Sequence, residues 1–189
     1  MSQVAEPVMR AEVVVTFLRM DRPPADPAPS FPPGLEVVVE PYCSVATYRR
    51  LYNTVGASYL WWLRRAMPDA QLAALLRSPA ISIHILRDGD RELGFYELDA
   101  TAWPTVNLSY FGLMPPAVGR GIGLAFLRHA VDQVWSSGAR MMTVNTCTAD
   151  HERALPTYLR AGFRPVREVR EHWAVPVRLG LELPARLRG

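Results

Sequence analysis

Between residues 105 and 137 the chain passes from a strand-like run, TVNLSYFGL, through Met114-Pro115-Pro116 and Val118-Gly119-Arg120-Gly121-Ile122-Gly123 into a helix-like run. No other segment restricts the fold so tightly. Glycines at 119, 121 and 123 let the backbone approach a ligand closely. The helix that follows presents unpaired amides and the positive end of its dipole, a setting that binds phosphates, and Arg120 adds charge. Two common nucleotide motifs fail. A dinucleotide fingerprint needs a third glycine or alanine, and that place holds Leu124 counted from Gly119 or Phe126 counted from Gly121. A P-loop needs lysine, yet all 21 basic residues are arginine. The same absence excludes a Schiff-base lysine and a kinase-type phosphate lysine.

The chain has 189 residues, of which 49% are hydrophobic and 21% charged. At about 150 residues per domain this predicts one folded domain with an N-terminal surplus. Two cysteines and four scattered histidines are too few and too far apart for a structural metal, so none is expected. The net charge is +3, and ten arginines precede residue 95 while eleven follow. Charge so dispersed, with no interleaved aromatics, argues against a nucleic-acid partner. The last thirty residues carry seven arginines against three glutamates, a solvated or anion-facing surface. There is no signal-peptide pattern and no apolar run near ~18 residues, so the expectation is a soluble cytoplasmic protein without membrane contact.

Along the chain, EVVVTFL (12–18) reads as a strand. The tract 21–34 holds six prolines in 14 residues, an extended linker. The compact domain is therefore expected to occupy 35–189, with 1–34 as a separate strand plus linker. LEVVVE (35–40) is the next strand, and Ser44 is placed to cap a helix carrying Tyr48, Leu51, Tyr52 and Val55. A second helix runs near 68–76. Adjacent Trp61 and Trp62 cannot both enter one core from a regular helix, so one is exposed or together they wall a substrate cleft. ISIHIL and ELGFYELDA flank an Asp88-Gly89 hairpin turn. The strand 105–113, a helix ending at Gly138, the strand 141–147 and a short helix over roughly 152–161 follow. FRPVREVREHW makes one more strand, and RLGLEL could add a last one. Hairpins mixed with one crossover helix make this an α/β pattern.

Two motifs carry a resemblance. Leu113-Met114-Pro115, followed by Val118-Gly119-Arg120-Gly121-Ile122-Gly123, is similar to the pyrophosphate loop of the GNAT acetyltransferase superfamily, Gln/Arg-x-x-Gly-x-Gly/Ala after an apolar-x-Pro strand end. Val118 departs from the Gln or Arg of that pattern, at a position whose side chain tends to turn back into the fold. About 30 residues on, Ala154-Leu155-Pro156-Thr157-Tyr158-Leu159-Arg160-Ala161-Gly162-Phe163 resembles the family's Ala-x-x-x-Tyr-x-x-x-Gly-Phe. His151 stands where the family often has Asn. Pro156 should make this helix start late or bend. The resemblance covers roughly residues 35–175.

The resemblance implies a mixed, mostly antiparallel sheet splayed between two strands and flanked by about four helices. It implies acetyl-CoA as cosubstrate, its pyrophosphate on Val118 to Gly123 and its pantetheine arm pairing near Leu113, with Asn145 in reach of the cofactor or of backbone. An amine of a small molecule or peptide would attack directly. Tyr158 matches the general acid that protonates the thiolate; the plainer alternative is a core tyrosine holding the helix against the sheet. Glu97 is a candidate base acting through water, or an exposed edge glutamate. Trp61 and Trp62 are candidates for the acceptor wall. His84, alternating with Ile83 and Ile85, reads as a packed or exposed strand histidine rather than a base. Cys147 lacks a base partner, and Asp150 and His151 read as capping residues. The rival reading is a non-catalytic acyl-CoA-binding module. A homodimer is left open.

Overall fold

β-Branched and aromatic residues crowd into seven runs, and each becomes a strand of one sheet in the computed structural model, which describes residues 6–187. The strands are β1 (Val8–Met20), β2 (Leu35–Val39), β3 (Ile81–Asp88), β4 (Arg91–Asp99), β5 (Thr105–Leu113), β6 (Met141–Cys147) and β7 (Arg164–Pro176). Their spatial order is β2-β3-β4-β5-β6-β1-β7. All neighbours run antiparallel except β5 and β6, which are joined by the crossover helix α4 (Gly123–Ser136).

The expected boundary at residue 34 is a correction. β1 lies inside the sheet, bonded to β6 on one side and β7 on the other, with Val13, Val15, Leu18 and Met20 buried. Proline composition marked a linker but could not show that the strand before it returns to the far half of the sheet. Nor does the tract hang free. Phe31 packs on the core beneath α4, and buried Arg128 of α4 donates to the Asp26 carboxylate and carbonyl at 3.0 and 2.5 Å. The outermost residues of both expected segments, 1–5 and 188–189, lie outside the described ones.

Helices cover both faces. On one, α4 buries Phe126, Leu127, Ala130, Val131 and Val134 against Tyr96, Leu108, Met142 and Val144, together with Tyr158 of α5 (Ala154–Arg160). On the other lie α1 (Val45–Gly56), α2 (Leu63–Ala66) and α3 (Asp69–Leu76). There α1 and α3 pack Tyr48, Leu51, Tyr52, Val55 and Leu72 over Ile83, Ile85 and Phe95. Ser44 caps α1, its Oγ accepting from Thr47 N at 3.0 Å. α5 starts late, as Pro156 requires, and holds that proline within its first turn. The hairpin turn is Gly89-Asp90, one residue beyond the expected pair, with Gly89 at φ +55°. RLGLEL forms no strand: residues 177–179 are a 3₁₀ turn closed by Gly180, and the following leucines pack onto the β1 face instead. No helix among the described residues is long and apolar enough to cross a membrane.

Candidate active site

β5 and β6 hold together only where Thr105–Leu108 pair with Met141–Val144. The separation has a local cause. The β4–β5 register shifts so that Glu97 faces Tyr110 while Leu98 faces Leu108, leaving Ser109 as an extra residue. Such a bulge bends its strand and raises its twist. From Ser109 to Leu113, β5 therefore keeps β4 as its one strand neighbour, and its opposite edge carries backbone groups free to pair with an extended ligand. Below the opening a polar ladder ties the strands: Thr143 Oγ1 donates to Asn107 Oδ1 at 2.9 Å, and Asn107 Nδ2 to Ser109 Oγ at 3.1 Å.

At the end of β5 the chain turns through a 3₁₀ segment, Pro115–Ala117, into the glycine loop. Gly119 and Gly121 adopt φ of +84° and +78°, and a Cβ at either would meet nothing within 4 Å. Both glycines serve backbone geometry and open a cradle to solvent. Ile122 is buried beneath the loop and gives α4 no side-chain cap, and the first helical bond is Phe126 N to Ile122 O at 3.0 Å. The amides from Gly121 to Ala125 thus lack a partner among the described residues. With exposed Arg120 beside them they form a site for an anion, and the residues fit a pyrophosphate. Val118 is 38% exposed, so its side chain does not turn back into the fold as the resemblance suggested. Leu113 is half-buried, its methyl lying 3.9 Å from where a Cβ on Gly123 would stand.

Tyr158 projects from α5 to the same region. Its ring lies 6.3 Å from Phe111, on the freed part of β5, and 5.9 Å from Phe163. Its hydroxyl has no hydrogen-bond partner among the described residues. Burial, with a smaller push from Asp150, holds this phenol well above the usual tyrosine range, so it keeps its proton at neutral pH. Asn145 is exposed on β6, just past the last residue paired with β5.

Glu97 departs from expectation. It is 0% exposed, and both oxygens are engaged: Tyr48 Oη donates to Oε2, and Arg64 Nη2 to Oε1 at 2.7 Å. The exposed edge glutamate that the sequence allowed is thus corrected to the partner of a buried ion pair, held away from the surface by Tyr48 and Arg64. Sequence reading missed Tyr48 and Arg64 in this role, because they lie 49 and 33 residues from Glu97 and share no spacing signal with it.

The two tryptophans separate as their adjacency required. Leu60, buried and at φ +58°, turns the chain just before them. Trp61 packs 5.0 Å from Tyr110 and 5.2 Å from Tyr52 on the α1 face, beside the freed part of β5. Trp62 joins the cluster of Val13, Val15 and Leu60 over β1. Only Trp61 is therefore brought to the opening. His84 is buried and stacked on Tyr96 at 4.4 Å, and burial lowers its imidazole to about 4. Burial pushes the Cys147 thiol up to about 12, which removes it as a nucleophile. Asp150 accepts from Thr146 Oγ1 and Cys147 N at 2.7 and 2.9 Å, closing the turn after β6 rather than capping α5.

Known proteins share this fold. The sequence pattern of the acetyltransferase (GNAT) family matches residues 48–163. Among solved structures, a GCN5-related N-acetyltransferase from Sphaerobacter thermophilus is similar over 90% of this chain and 53% of its own, at 20% identity and a TM-score of 0.60. One from Kribbella flavida is similar over 88% and 60%, at 17% identity and TM-score 0.59. An aminoglycoside acetyltransferase from an uncultured soil sample is similar over 68% and 88%, at 13% identity and TM-score 0.56. Identities this low establish a shared fold. The chain spans little more than half the length of the first two. No functionally curated protein matches it.

Proposed function

Since the chain belongs to the GNAT acetyltransferase family, we propose that it transfers an acetyl group from acetyl-CoA to a primary amine of a small molecule or peptide. The observation that carries this reading is the conjunction at one end of the sheet. There the uncapped amides of α4, the one-sided edge of β5 and the buried phenol of Tyr158 lie side by side.

Each part has a defined task. The amides from Gly121 onward and Arg120 hold the pyrophosphate, while Val118 and Gly119 line the approach. The freed β5 groups up to Leu113 take the pantetheine arm as an added strand, and Asn145 faces the opening from β6. Acetyl-CoA supplies an acyl group on a thiol leaving group. Attack by the acceptor nitrogen forms the C–N bond and breaks the C–S bond; the nitrogen's proton passes to solvent, and solvent returns one to Tyr158 after it has protonated the sulfur. Tyr158 holds the proton that the departing sulfur needs. That need is strong in this interior, since burial, helped by nearby carboxylates, pushes the thiols of Cys43 and Cys147 up to about 12. Trp61, with Tyr110, forms the aromatic wall on the acceptor side. A cytoplasmic setting goes with this reading.

Tyr158→Phe removes the hydroxyl and keeps the ring. Turnover on the true amine should fall ~100-fold or more with acetyl-CoA affinity unchanged. Turnover within about threefold of wild type would remove the general-acid role. The buried state of Glu97 favours a second reading, a non-catalytic acyl-CoA-binding module, because it leaves the attacking amine without that base. Thiol release across a panel of amines, amino acids and peptides separates the two, since only the enzyme releases thiol when an amine is present.

A further inference from the structure

β7 is the outermost strand of the sheet and pairs on one side only, with β1. Thirteen residues long and exposed over most of its length, with Val166 at 54%, it presents an open row of backbone donors and acceptors. Such an edge is a template for another strand. Its charges also follow a rule. Reading outward from Val169, the flanking residues are Glu168 and Arg170, then Arg167 and Glu171. Each step away from Val169 meets opposite signs.

We propose that β7 is a self-complementary dimer edge, pairing antiparallel with β7 of a second copy about a two-fold axis at Val169. In that register Glu168 faces Arg170 of the second copy and Arg167 faces its Glu171, and each pair occurs twice. Opposite charges directly across an antiparallel pair stabilise it, and like charges oppose it. Directly opposite residues share a face of the sheet, so the axis can move only by whole residues. Moving it by one residue leaves no opposite pair at all. One register in the neighbourhood is therefore favoured. Charges on an edge commonly keep strands apart, whereas here their signs stand in mirror order about Val169.

The edge is also bounded and ordered. Pro165 and Pro176, which cannot donate, stand at its two ends, and the β1 register shift leaves Val166 as an extra residue just outside the paired core. The four charges are already held within the chain. Arg170 bonds Glu12, Glu168 accepts from Thr16 at 3.1 Å, Arg167 lies 4.4 Å over the Phe17 ring, and Glu171 accepts from Trp173 at 2.7 Å. A closed two-fold contact of this kind is isologous and ends at the dimer.

Sedimentation velocity on the full chain tests this. Wild type should be dimeric at low salt. R167E and E171R, each placing like charges across the axis, should give monomers of wild-type circular dichroism. The double swap R167E/E171R should restore the dimer, which a general loss of stability could not do. Directly opposite residues bring Cβ atoms to about 4.5–5.5 Å, near the reach of a disulfide. V169C should therefore cross-link under mild oxidation. E168C, whose two copies stand two positions apart, should not, and wild type with Cys43 and Cys147 is the control. A monomeric wild type overturns the proposal. So does a dimer that survives both single reversals and is not cross-linked through V169C.

Discussion

Arg64 and Tyr48 occupy both oxygens of Glu97, and the site offers that carboxylate no solvent. A charge buried in this way stays ionised only while its partner remains, and removing one member strands the other. Glu97→Gln should therefore lower stability by about 3 kcal/mol, measured by urea unfolding, because Arg64 loses its carboxylate partner. Turnover per folded molecule should stay within a few-fold. Normal stability with lost turnover would restore Glu97 as the base. Strand alternation in FYEL reads correctly from sequence: Phe95 and Glu97 face α1 while Tyr96 faces α4. What decides the role of Glu97 is illegible there, because its partners come from a helix and a short turn brought over the sheet by packing. Tyr158 reads differently. Its place relative to Gly162 puts it on the helix face turned to Phe111, so its position at the opening follows from local periodicity.

The glycine loop and α4 act as one element, and their order along the chain leaves little freedom. A strand ending at Leu113, a proline-started 3₁₀ turn and an uncapped helix put unpaired amides at the sheet end whatever the rest of the chain does. Gly121→Glu should abolish acetyl-CoA binding by calorimetry, since the side chain enters the cradle, brings repulsive charge and occupies a backbone at φ +78°. Affinity equal to wild type would place the pyrophosphate elsewhere. The bounds of β5 and β6 were legible from β-branched runs between turn signals, and the late start of α5 from Pro156. The Ser109 bulge that parts β5 from β6 was not, because its sequence, Leu-Ser-Tyr, is ordinary strand composition. The failure of RLGLEL has a different origin: alternation suits a strand, but Gly180 in the left-handed region turns the chain, and its leucines pack onto the β1 cluster instead.

At the scale of the whole molecule, the sheet is two groups of strands, β2-β3-β4-β5 and β6-β1-β7, joined through β5 and β6, and β1 holds the second group together. Deleting residues 1–34 would remove a central strand, expose the edges of β6 and β7, and free buried Arg128 from Asp26. The shortened chain should fail to unfold cooperatively by calorimetry and should bind no acetyl-CoA. A cooperative transition with wild-type binding would make the remainder a domain in its own right. Composition could not reveal this, because a proline tract looks the same whether the strand before it is peripheral or central. The position of β1 also bears on how the protein is made. Met20 leaves the ribosome long before Met141, the first residue of its first partner strand, and the second partner comes later still. At ~5–20 residues per second the wait is on the order of 6–24 s, with an apolar strand in the open throughout. The first strand synthesised is thus the last to be enclosed, so a stalled or truncated nascent chain should be a target for chaperones that hold extended apolar segments.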